Sequence, residues 1–203
     1  SAASVAALND DQLTALSTSQ VAAFNNQAVK ALSTSQVATL DDKISALGTS
    51  QLRLLSQDVV ASLSSSQIEA LDTVQLKALT AAQIGSLSSA AVAGLNTNDI
   101  AALTTDQIQG FTTTAMTALS TENFSALSTD QLRVLSQSAV SGLTSGEVQG
   151  LSTTKLAAFK ATQIGSLSTD AFANLTTSQV KALTVDQMAS VTAAQLQALS
   201  TTQ

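Results

Sequence analysis

Apolar residues recur along this chain at intervals that alternate between five and three, so every eight residues carry two fixed apolar positions. Numbering each octad 1 to 8, position 8 falls at Leu8, Leu16, Phe24, Leu32 and Leu40. One seven-residue unit follows at 41–47, and the register then holds every eight residues from Leu47 to Leu199. Position 8 is Leu except at Phe24, Phe111, Phe159 and Val191, and position 5 is apolar from Leu13 to Leu196. One long helix cannot use this spacing. Eight residues turn about 800° at 3.6 per turn, so the apolar stripe would drift by about 80° per octad. A strand would place positions 5 and 8 on opposite faces, which leaves a thin β-solenoid as the alternative architecture.

The polar positions predict short helices instead. Position 1 is Ser, Thr, Asn or Asp except at Gly48, Lys160 and nowhere else, and position 4 is Gln in most octads. That spacing is a capping box. The side chain at position 1 accepts from the amide three residues on, and the Gln reaches back to the cap's own N–H. Ser17, Ser33, Ser64, Thr104, Ser128 and Thr176 are predicted N-caps of helices about two turns long. Charges agree, because acids such as Asp106, Asp130, Asp170 and Asp186 lie in the predicted first turns. Lys30, Arg53, Lys77, Arg133 and Lys181 lie at position 6, nearer the C-terminal ends, as the helix dipole favours.

Helices this short do not stand alone, since nucleation is costly. Octads must stack so that positions 5 and 8 form a continuous apolar column. The expectation is therefore an all-α solenoid, a single continuous repeat array over 1–203 of about 25 octads, with the short unit at 41–47. Small residues at position 7, including Gly94, Gly110, Gly142 and Gly150, would let neighbouring backbones approach. The recurrence of Gln in alternate octads (Gln20, Gln36, Gln51, Gln67) suggests two octads per turn. A longer period also shows: Gln51-Leu52-Arg53 returns as Gln131-Leu132-Arg133, and Gln83-Ile84-Gly85 as Gln163-Ile164-Gly165, 80 residues on.

Composition narrows function mainly by exclusion. No His or Cys occurs, which removes catalytic triads, thiolate chemistry and the usual zinc ligands. The net charge of −6 argues against nucleic acid as a partner. No apolar run reaches the about 18 residues of a membrane span, so membrane insertion is not expected. The opening Ser1-Ala2-Ala3-Ser4-Val5 does not read as a signal peptide. The acid pairs Asp10-Asp11 and Asp41-Asp42 fit first-turn helix positions better than a calcium loop. Phe24, Phe111, Phe124, Phe159 and Phe172 all occupy positions 5 or 8 and read as core. No catalytic, cofactor-binding or metal site is assigned, and an enzyme is the least expected class.

The unit Ser/Thr-Thr-x-Gln-Ile/Val-x-Ala-Leu, as in Leu103-Thr104-Thr105-Asp106-Gln107-Ile108, resembles the Ala-, Leu-, Thr- and Gln-rich short repeats of large secreted or surface proteins of bacteria. The resemblance spans residues 8 to 203 and implies an extracellular or cell-surface setting and a fibre, stalk or adhesin-like role. Two functions are then expected. One is a structural, self-assembling filament or spacer whose partner is itself. The alternative is a solenoid binding module, for glycan or ice, using a row of hydroxyls at position 2 such as Thr97, Thr105, Thr113, Thr121 and Thr129.

Overall fold

The computed structural model describes residues 5–203. The reading of the first segment as lacking a signal peptide lies largely outside them. The described residues contain short helices and no strand, so the helical architecture holds and the β-solenoid alternative does not. They form two compact units, one up to Leu103 and one from Thr104 to Gln203. In sequence the octad register runs through Leu103 and Thr104 without a break.

Most octads with Gln at position 4 fold as the capping box requires. In Ser64–Leu71 the Ser64 hydroxyl accepts from the Gln67 amide at 3.1 Å, and the Gln67 carboxamide oxygen accepts from the Ser64 N–H at 3.0 Å. The helix Ser65–Ala70 follows. It stops because Leu71 turns extended (φ −77°, ψ 137°) and returns its N–H to the Ile68 carbonyl. All six caps predicted above, from Ser17 to Thr176, form both halves of the box. At Gly48 and Lys160, which cannot accept through a side chain, the Gln half survives alone: Gln51 accepts from the Gly48 N–H and Gln163 from the Lys160 N–H, both at 2.6 Å.

Helices of four to seven residues gain stability from packing rather than from their own length. In the unit up to Leu103, the helix Ser65–Ala70 packs against Asp41–Ala46 on one side and Ser89–Ala93 on the other. In the unit from Thr104, Thr105–Gln109 packs on Thr129–Val134, which packs on Thr153–Ala158, which packs on Thr177–Ala182. Stacked helices are thus three octads apart. Hydrogen bonds across the stack reach the fourth octad, as described below. A turn therefore holds between three and four octads, not the two that the alternation of Gln suggested. Alternation at position 4 records instead which buried sites hold Gln and which hold Ala, as at Ala28, Ala91 and Ala139.

Positions 5 and 8 make the core in both units. Ile68, Leu76, Ile84 and Val92 are sealed in the first, and Ile108, Phe124, Phe172 and Ile164 in the second. Four of the five phenylalanines are buried; Phe24 is half-buried.

The seven-residue unit is absorbed by changing helix type. The preceding helix Thr34–Leu40 runs past its usual stop, and Asp41–Ala46 winds as a 3₁₀ helix. With fewer residues per turn and a longer rise, a 3₁₀ segment replaces an α-turn with one residue fewer. The join falls on Asp41, at φ 50° and ψ −132°, the only positive φ among the described non-glycine residues. That region favours glycine. Asp41→Gly is expected to raise stability by about 1 kcal/mol, read as an upward shift in the denaturation midpoint.

Candidate functional site

The residue that organises the surface between turns is the Gln at position 4. Its oxygen closes the capping box, which leaves the amide N–H groups to aim outward from the helix start. Gln83 Nε2 donates to the Leu52 and Leu55 carbonyls, both at 2.9 Å. Gln163 Nε2 donates to Leu132 and Leu135 at 2.9 and 2.8 Å, and Gln179 to Val148 and Leu151 at 2.9 and 2.8 Å. The acceptors in these three cases are positions 5 and 8 of the fourth octad back, while Gln51 and Gln75 use positions 6 and 8. Those carbonyls sit at helix C-terminal ends, where intrahelical partners run out. The side chain is buried at these sites: Gln163 is 1% exposed. One carboxamide thus caps its own helix and clamps the next turn. Lysine can do the second job alone, and Lys155 Nζ donates to the Ser125 carbonyl.

Position 7 supplies a second contact. Gly94 lies against the backbone of Ser65, three octads back, so closely that a methyl group there would meet the Ser65 carbonyl oxygen at 2.3 Å. Ser86 and Ser190 occupy the same position and donate their hydroxyls to the Gln57 and Ala161 carbonyls. The small residue at position 7 is therefore a backbone-to-backbone contact, as its size predicted.

The position-2 hydroxyls behave differently from the row drawn in sequence. Successive octads lie around the turn rather than above one another, so Thr105, Thr113, Thr121 and Thr129 do not stack. The stacked helices instead begin with Thr105, Thr129, Thr153 and Thr177, a ladder with a step of three octads. Part of the hydroxyl capacity is also used internally: Thr113 donates to the Ser138 carbonyl at 2.6 Å. Arg133 is likewise not a purely solvated charge, since its Nε donates to the Ala158 carbonyl at 3.3 Å. Asp10, Asp11, Asp41 and Asp42 remain first-turn residues, and the described residues hold no cluster of metal-ligating side chains. No helix among them is long and apolar enough to cross a membrane.

The last octads of one unit and the first of the other differ from the interior of their own units. In the unit from Thr104, the last position-5 residues Met188 and Leu196 are 41% and 50% exposed, where their interior counterparts Val148 and Ile164 are fully sealed. In the unit up to Leu103, the first position-8 residues Leu8, Leu16 and Phe24 are half-buried, and Gln12 and Gln20 are exposed.

The ALTTAQ repeat family matches the chain at residues 60–89 and 79–113. The six letters read across positions 7, 8, 1, 2, 3 and 4. Here they appear as Ala78-Leu79-Thr80-Ala81-Ala82-Gln83 and Ala102-Leu103-Thr104-Thr105-Asp106-Gln107. The match supports a repeat array. No curated protein matches the chain.

Proposed function

We propose that this chain is a structural array that grows by adding octads to octads, a self-assembling filament or spacer without catalytic activity, working outside the cell or on its surface. The observation that carries the reading is the recurring contact between octads: the Gln clamp joins one octad to another by the same amide-to-carbonyl bonds at Gln83, Gln163 and Gln179. Octads of a second copy stacked head to tail can make that same contact, which is heterologous and propagates rather than closes. The extracellular setting rests on the resemblance to bacterial surface repeats.

Electron microscopy and sedimentation over a range of concentrations test this. Filaments or concentration-dependent oligomers are expected, and Met188→Glu with Leu196→Glu should abolish them while leaving the helical signal intact. Strictly monomeric protein at every concentration would overturn self-assembly. If such a monomer bound glycan or ice, the second reading would stand, in which the Thr105, Thr129, Thr153 and Thr177 ladder is the binding strip.

A further inference from the structure

Glu147 breaks the clamp pattern at a buried site. It stands at position 4 in the octad Thr144–Leu151, and its side chain is 2% exposed. One carboxyl oxygen does what Gln oxygens do elsewhere: Oε2 accepts from the Thr144 N–H at 2.7 Å and the Thr144 hydroxyl at 2.8 Å. The other, Oε1, is buried without a hydrogen-bond partner, and it takes the place of the clamping amide nitrogen. By the register that sends Gln163 to Leu132 and Leu135, and Gln179 to Val148 and Leu151, this oxygen belongs to the carbonyls of Met116 and Leu119. A carboxylate offers those carbonyls only lone pairs, whereas a carboxylic acid offers one O–H donor.

We propose that Glu147 is a proton-binding site: in its neutral form the Oε1 hydroxyl clamps the Met116–Leu119 turn, and loss of the proton opens that contact. The array is then tightened by acid at one defined turn within the unit from Thr104 to Gln203.

The surroundings favour the neutral form. Burial pushes the Glu147 carboxyl above its ordinary value of 4.5, against the smaller opposing pull of the Thr144 backbone and side-chain hydrogen bonds. The helix Ser145–Gln149 has no other titratable group. It packs against Thr121–Ala126, which carries Glu122, and Thr169–Ala173, which carries Asp170; both carboxylates are exposed. Of the neighbouring cations, Lys155 is committed to the Ser125 carbonyl and Lys181 is exposed. The helix Thr113–Ala118, which bears the Met116 acceptor, has no charged residue. Because the folded state holds the proton more tightly than the unfolded chain, the stabilisation is complete below 4.5. It falls as pH rises from there through the folded-state pKa, and is absent above it.

The test compares the wild-type chain with Glu147→Gln and with the exposed-site control Glu69→Gln by denaturant unfolding from about pH 4 to pH 8, the span in which a raised carboxyl titrates. Gln is the residue most octads carry here, so the variant folds. At neutral pH Glu147→Gln is expected to raise the folded-to-unfolded ratio about tenfold for each pH unit by which the carboxyl is raised, with the difference vanishing at the acid end. Glu69→Gln controls for the loss of one carboxyl at an exposed site. Infrared spectra of the wild-type chain should keep a carboxylic-acid C=O band after the exposed carboxylates have ionised, and Glu147→Gln should lose it. Parallel pH profiles for wild type and Glu147→Gln, or no such band, would overturn the proposal.

Discussion

Gly94→Ala is expected to destabilise the unit up to Leu103 by about 3 kcal/mol, at the upper end of what overpacking costs. The added Cβ would lie 2.3 Å from the Ser65 carbonyl oxygen and 2.8 Å from its Cα. Both are backbone atoms, so no rotamer change relieves the clash. The helix Ser89–Ala93, which Gly94 ends, would have to move off Ser65–Ala70. That separation also strains Ile68 and Val92, two fully buried core residues on the same pair of helices. Helix propensity works the other way, since alanine is preferred over glycine by about 1 kcal/mol, and the clash exceeds it. Gly146→Ala is the internal control. Its Cβ would meet only the Thr121 hydroxyl, at 3.9 Å, so a gain of about 0.5 kcal/mol is expected. Denaturant unfolding of the two variants should give shifts of opposite sign. Equal shifts would mean that position 7 is not a backbone contact.

The sequence carries the local half of this fold and little of the non-local half. Capping boxes were legible because both partners are side chains with a fixed spacing, as in Ser64 and Gln67. Core positions were legible because burial selects Leu, Ile and Val. The second role of Gln was not, because its acceptors are backbone carbonyls, such as Leu52 and Leu55, which leave no mark on residue type. The number of octads per turn was hidden for a related reason. It depends on backbone angles between helices, such as the extended turn at Leu71 (ψ 137°), which residue type does not reveal. Glu147 is an acid in a first turn, where the helix dipole explains it adequately. Only the burial of its free oxygen marks it as more than that.

Gln163→Leu should be the most damaging single change at a polar position, costing about 3 kcal/mol in the unit from Thr104. Leucine has a similar volume, so the loss is not a cavity. Three hydrogen bonds disappear together. The Lys160 N–H loses its acceptor, and the Leu132 and Leu135 carbonyls lose their donor. Lys160 makes no side-chain cap, so the helix Ala161–Gly165 has no other half of the box to fall back on. Buried groups left without partners cost about 1–3 kcal/mol each, partly recovered where the Leu132 carbonyl keeps its bond from the Leu135 N–H. Gln12→Leu removes the same kind of box from an exposed site, where water can replace the Asn9 contact. That change should cost no more than about 1 kcal/mol, the usual worth of a cap. Unfolding midpoints of the two variants therefore separate the clamp from the cap. If Gln163→Leu costs no more than Gln12→Leu, the turns are held by the apolar column alone and the amide bridges add nothing measurable.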